Sequence, residues 1–178
     1  MNSVPRVLFT AEQIAARVAD LAAEIDLRFG ERQPLVLVGV LKGSFIFLSD
    51  LARRLQTPHR VEFIAVTSYG ASTSTEHTGA VRLLMDLRHD IEGAHVLLVE
   101  DIVDPGHTLA YLIRLLGARR PASLGVVALL AKPERTRADV KIDYLGFSIP
   151  DVWVVGYGLD WAERHRTLPY IGVVETAG

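Results

Sequence analysis

Residues 96–108 read VLLVEDIVDPGHT, a short apolar run that ends in Glu100, Asp101 and Asp104 and continues through Gly106, His107 and Thr108. Three carboxylates crowded at the end of an apolar strand repel one another unless a cation or a hydroxyl-rich ligand lies among them. Glycine permits close backbone approach. The N–H groups that open the following helix, with the Thr108 hydroxyl, can ring an anion. Carboxylates beside an anion site serve to hold Mg2+ or ribose hydroxyls. The chemistry implied is recognition of a sugar phosphate with a metal. A plainer reading makes Asp104 an N-cap with Pro105 in the first helical turn, and Glu100 and Asp101 solvated charges.

The elements that must position these groups alternate between two periodicities. Ile14, Val18, Leu21 and Ile25 repeat at helical spacing, with Thr10 and Gln13 forming a capping-box pair and Gly30 a stop. Leu35–Leu41 is a buried strand, followed by Lys42-Gly43-Ser44 and a helix whose Phe45, Leu48, Leu51 and Leu55 share one face. Val61–Thr67 is a strand ending at Ser68-Tyr69-Gly70. Residues 71–79, ASTSTEHTG, contain no large apolar side chain, so a long, exposed, flexible loop is expected, with Val81–Leu87 returning as a hairpin. His95–Val99 and Leu124–Leu130 are further strands, separated by a helix with Leu109, Leu112, Ile113 and Leu116 on one face. Val152–Val155 and Ile171–Val174 are short strands. The expectation is an α/β fold built on a mostly parallel twisted sheet flanked by helices. Ligands of such sheets bind beyond the carboxyl ends of the strands, where Lys42–Ser44, Glu100–Thr108 and Lys132 gather.

Composition narrows the field. Across 178 residues, 19 Lys+Arg face 21 Asp+Glu, a net charge of −2 that argues against a polybasic nucleic-acid module. Zero cysteines exclude disulfides, thiolate zinc sites and cysteine nucleophiles. The start MNSVPRVLF has no signal-peptide apolar core, and no run approaches the ~20 apolar residues of a membrane span. One soluble, cytoplasmic domain over residues 1–178 is expected.

Glu100-Asp101-Ile102-Val103-Asp104-x-Gly106-x-Thr108 resembles the phosphoribosyl-pyrophosphate (PRPP) signature of type I phosphoribosyltransferases. Further pieces narrow the resemblance to the hypoxanthine-guanine branch: Leu41-Lys42-Gly43-Ser44, Ser68-Tyr69-Gly70, Lys132, Gly146-Phe147-x-Ile149-Pro150-Asp151, Val154–Asp160 and Arg166-x-Leu168-Pro169-Tyr170-Ile171. They occur in family order from about residue 35 to residue 174. The resemblance implies purine salvage, in which the 5-phosphoribosyl group of PRPP moves to N9 of hypoxanthine or guanine, giving IMP or GMP and pyrophosphate with Mg2+.

The resemblance also implies roles. Glu100 and Asp101 match the acidic pair that meets the ribose hydroxyls directly or through Mg2+, and Asp104 the general acid/base near purine N7. Gly106, His107 and Thr108 match the 5'-phosphate loop, while Lys42, Gly43 and Arg166 match pyrophosphate-binding positions, the first two in a loop with an often cis non-proline peptide. Lys132 matches the donor to purine O6, Trp153 the stacking aromatic and Val154 the backbone at the base edge, in a small base-binding hood. Asp160 matches a residue of the base segment and a second metal ligand. Ser68 and Tyr69 begin the lid loop, whose closure would keep water from the ribosyl cation. A homodimer or homotetramer is implied, with no nucleic-acid or membrane partner.

Pro105 departs from the family pattern, since it has neither an N–H nor a hydroxyl to offer the phosphate. Up to two charge-assisted contacts of about 1.5–3 kcal/mol each would be missing, partly offset by the His107 ring. Pro105→Thr is therefore expected to lower the KM for PRPP in steady-state assays, and an unchanged or higher KM would remove the idea. The strongest alternative of another class is a nucleotide-sensing RNA-binding regulator on the same fold, disfavoured by the brevity of Arg119-Arg120 and Arg164-His165-Arg166 in a chain of net negative charge.

Overall fold

Apolar spacing of four, three and four residues closes α1 (Ala11–Phe29) onto the core, with Ile14, Val18, Leu21 and Ile25 all buried. A computed structural model describes residues 5–30, 35–68, 81–135 and 140–174. The Thr10 hydroxyl accepts from Gln13 N, the Gln13 side chain accepts from Thr10 N, and Gly30 ends the helix.

The remaining elements in chain order are β1 (Arg6–Phe9), before α1, then β2 (Leu35–Leu41), α2 (Phe45–Ala52), β3 (His59–Ser68), β4 (Val81–Met85), β5 (His95–Val103), α3 (His107–Gly117), β6 (Ser123–Ala131), β7 (Tyr144–Ser148), β8 (Val154–Val155) and β9 (Ile171–Val173). Six strands form one sheet in the order β4-β3-β2-β5-β6-β7, parallel except for β4, which runs antiparallel to β3. A small antiparallel sheet, β1-β9-β8, forms the hood. The stacked rings of Phe9 in β1 and Phe147 in β7 join the two sheets, and Arg17 of α1 donates to the β7 carbonyls of Leu145 and Gly146.

Each sheet face has its own core. Leu35, Leu37, Leu97 and Val99 pack with α1, α2 and the hood, while Val36, Val38, Val96 and Leu98 pack with α3. The helix after β2 thus covers one face and the helix after the neighbouring β5 covers the other. Such a switch in winding direction opens a crevice at the carboxyl ends of the two strands.

Three expectations change in detail. Phe45, the first residue of the two-turn α2, is exposed, and Phe47 fills the core beside Leu48 and Leu51. Ile113 is only partly buried, leaving Leu109, Leu112 and Leu116 to seal α3. β5 continues through the acidic motif to Val103, so Glu100 and Asp101 are strand residues. Strands β1 and β7 had no sequence assignment: each is short, and β1 pairs with β9 at the far end of the chain. Tyr69 and the loop at 71–79 lie outside the described residues; Ser68 closes β3.

Candidate active site

A cleft of about 540 Å³ opens at the switch between β2 and β5, lined among others by Lys42, Gly43, Asp101, Asp160, Glu163 and Arg166. Its floor is unusually close-packed. A Cβ on Gly43 would lie 1.6 Å from Asp101 Oδ2, and a Cβ on Gly158, where φ is 107°, would lie 2.0 Å from the Gly43 carbonyl. The backbone after β2 is therefore held between the Asp101 carboxylate and the hood, an approach only glycine allows on both sides. The Leu41–Lys42 peptide is cis, and so is Asp104–Pro105.

Because successive strand residues point to opposite faces, Glu100 follows Val96 and Leu98 toward α3, whereas Asp101 follows Leu97 and Val99 toward the cleft. The adjacent carboxylates thus flank the strand end. Glu100 is buried, and its Oε2 has no hydrogen-bond partner among the described residues. Burial, then the nearby Asp101 charge, pushes its carboxyl well above the ordinary range. Burial also raises Asp101 to about 6, against the pull of backbone N–H groups and Arg166. Arg166 donates to the Gly158 carbonyl at 2.6 Å and pairs with Asp160 Oδ1 at 2.6 Å. The Glu163 carboxyl is held below its usual range by Lys42 and then Arg166.

A second cluster lies at the ends of β5 and β6, where Lys132 N bonds to the Val103 carbonyl. The buried Lys132 ammonium lies 2.9 Å from Asp104 Oδ2 and 3.3 Å from Asp151 Oδ1. Arg135 Nε lies 2.9 Å from Asp104 Oδ1, a charge contact without hydrogen-bond alignment. Trp153, two residues past Asp151, is exposed, and Val154 starts β8 as a buried residue. Gly106 takes φ 97° to turn into α3, leaving the first-turn N–H groups of His107 and Thr108 at the helix N-terminus, with no side-chain cap.

A phosphoribosyl transferase domain model matches residues 8–161. The chain belongs to the phosphoribosyl transferase family. Within it, a hypoxanthine phosphoribosyltransferase of Salmonella typhimurium is 47% identical over 98% of this chain and 97% of its own length. A hypoxanthine-guanine phosphoribosyltransferase of Mycobacterium avium is 51% identical over 98% and 87%. The crystal structure of a hypoxanthine phosphoribosyltransferase from Staphylococcus aureus superposes with a TM-score of 0.91 at 43% identity, covering 98% of this chain and 96% of that one. The fold is that of type I phosphoribosyltransferases, and the chain falls in their hypoxanthine-guanine branch.

Against this family frame, the expected residues separate into two groups. Lys42, Gly43, Asp101, Asp160 and Arg166 share the cleft; Asp104 and Lys132 share the second cluster, with Trp153 and Val154 beside it along the chain, and Asp151, which received no role from sequence, joins them. Asp160, matched to both base and metal, lies in the first group. Gly158, Glu163 and Arg135 received no role from sequence. Gly158 stood inside a quoted motif, whereas an exposed Glu163 and an Arg135 in a turn carry no local signal. Among the described residues no three His, Asp or Glu side chains converge as a ready metal cage. Mg2+ does not require one, since it keeps several waters and is held by one or two carboxylates plus substrate phosphates. The orphaned Glu100 oxygen and the raised Asp101 fit such an ion.

The Asp101 shift has a measurable consequence for folding. At low pH both folded and unfolded states carry its proton; between the ordinary value of 3.8 and about 6 only the folded state keeps it, so stability falls as pH rises through that window and stays lower above it. Asp101→Asn is expected to raise Tm near neutral pH and to leave it unchanged at about pH 4. Thermal unfolding at the two pH values checks both halves.

Proposed function

We propose that the chain transfers the 5-phosphoribosyl group of PRPP to N9 of hypoxanthine or guanine, releasing pyrophosphate and giving IMP or GMP. The observation that carries this reading is the Lys132 ammonium 2.9 Å from the Asp104 carboxylate at the ends of adjacent strands. Guanine presents O6 and N7 as neighbouring acceptors on one edge. A fixed ammonium would donate to O6 while a carboxyl beside it manages a proton at N7. Adenine offers an amino donor at that position and faces repulsion from the ammonium. Trp153 would stack on the base and the Val154 backbone would meet its edge.

On the sugar side, the N–H groups of Gly106, His107 and Thr108 would receive the 5'-phosphate. Lys42, the Gly43 backbone and Arg166 would bind the diphosphate, and Ser68 and Tyr69 would start the lid. Glu100 and Asp101 would hold Mg2+ with the ribose hydroxyls, and Asp160 a second ion on the diphosphate side. Mg2+ when bound offsets the charge of the departing pyrophosphate.

Residues 1–178 serve as one phosphoribosyltransferase domain in this reading, acting in the cytoplasm as a homodimer or homotetramer. No helix among the described residues is long and apolar enough to cross a membrane. The relatives carry transferase names, and the RNA-binding alternative is not supported. The test is direct: purified protein with PRPP and Mg2+ is offered hypoxanthine, guanine, xanthine and adenine separately. Turnover is expected with the first two and not with adenine, and no turnover with the first two overturns the reading.

A further inference from the structure

One carboxylate spans the two cations assigned to the diphosphate. Glu163 Oε1 lies 2.9 Å from Lys42 Nζ and Glu163 Oε2 lies 3.2 Å from Arg166 Nη2. We infer that Glu163 is a placeholder for the diphosphate, a positioning residue that keeps Lys42 and Arg166 together between turnovers and must release both before PRPP or pyrophosphate can engage them. The inference rests on the phosphoribosyltransferase reading above and deepens it, by adding a built-in competitor to the diphosphate subsite.

Three observations carry it. The first is geometric: two cations within bonding distance of the two oxygens of one small anion are also spaced to share a larger one. The second is the contrast in how firmly the partners are held. Lys42 and Glu163 are exposed, at 68% and 67%, and exposed ion pairs are weak enough to exchange for a multiply charged anion. Arg166 is only 16% exposed and stays aimed by Asp160 and the Gly158 carbonyl when Glu163 leaves. Release of Glu163 therefore frees the Lys42 ammonium and one edge of a guanidinium already in position.

The third observation is the backbone. Ala162, Glu163 and His165 have φ of 52°, 61° and 66°, a left-handed conformation uncommon for residues other than glycine. It is sustained by reciprocal backbone bonds between Trp161 and Arg164 and by Glu163 N donating to Asp160 Oδ2 at 2.7 Å. Such conformations persist where the surroundings over-determine them, and they cluster at ligand clamps. Here they set Glu163 over the cleft, which already holds Asp101 and Asp160. Three carboxylates then face two cations, and an incoming polyanion meets repulsion until Glu163 withdraws. Glu163 would thus weaken PRPP binding and assist pyrophosphate departure together.

The test is calorimetric titration of inorganic pyrophosphate, with Mg2+ present, into the wild-type protein and Glu163→Gln, a variant that keeps side-chain length and loop conformation. The dissociation constant is expected to fall about three- to tenfold in the variant, the range that one or two exposed ion pairs span. The KM for PRPP should fall by a similar factor, with the KM for hypoxanthine unchanged. A residue that merely fastened the loop would give the opposite result, so unchanged or weaker pyrophosphate binding by a variant with wild-type Tm overturns the inference. Hypoxanthine turnover without wild-type pyrophosphate binding overturns it too. Pyrophosphate binding without hypoxanthine turnover overturns the transferase reading and leaves the placeholder standing.

Discussion

Asp104→Asn is expected to lower kcat by about two to four orders of magnitude, the usual contribution of a positioned general acid/base, with Tm and the KM for PRPP near wild type. The asparagine keeps the shape of the side chain and an oxygen for the Lys132 ammonium, which lies 2.9 Å from Asp104 Oδ2 and is also paired with Asp151. What it removes is the capacity to take or return a proton. Any loss of turnover therefore isolates proton transfer from base positioning, whereas truncating Lys132 would confuse the two by removing the donor to the base and the ammonium partner of Asp104 at once. Steady-state kinetics at saturating PRPP, with the pH dependence of kcat/KM, decide the matter. An activity of the variant within about threefold of wild type would take the acid/base role from Asp104.

Gly43→Ala is expected to be comparably damaging by a different route. The new methyl carbon would lie 1.6 Å from Asp101 Oδ2 and 2.5 Å from its Cγ, and the loop cannot retreat because the Gly158 backbone sits against the Gly43 carbonyl. The Asp101 carboxylate must then swing out of its place in the cleft. A displacement of about 1 Å in a positioning group is enough to reduce catalysis about a hundredfold, and overpacking of this kind costs about 1–3 kcal/mol of stability. A hundredfold fall in kcat/KM for PRPP with a lowered Tm is the expected pair of results. Adding Asp101→Gly removes the clashing carboxylate, so the double variant should recover Tm and stay inactive. Recovery of activity with it would mean that Asp101 has no part in the reaction.

The buried strands and α1 were readable because each carries its own periodicity: Leu35–Leu41 is apolar throughout, and Ile14, Val18, Leu21 and Ile25 fall on one helical face. Helical spacing puts Phe45 on the apolar face, yet it is exposed and Phe47 is buried, because two turns hold too few apolar positions to fix that face by spacing alone. The acidic motif was readable as chemistry but not as geometry. Adjacent letters at 100 and 101 look like a pair, and only the strand pleat shows that they approach the strand end from opposite faces.

Residue identities by themselves determined the α/β class, the strand-end clustering of charge and, through motifs in family order, membership among phosphoribosyltransferases. These properties are local or additive, and each segment carries them whatever its neighbours do. The tertiary structure alone decided that Gly158, Gly43 and Asp101 are stacked in contact, that Lys132 pairs with Asp104, and that Glu163 bridges Lys42 and Arg166 across 121 residues of chain. Such contacts depend on the relative placement of strand ends and hood. That placement follows from burying both faces of one sheet at once, a condition on the whole chain that no single segment encodes.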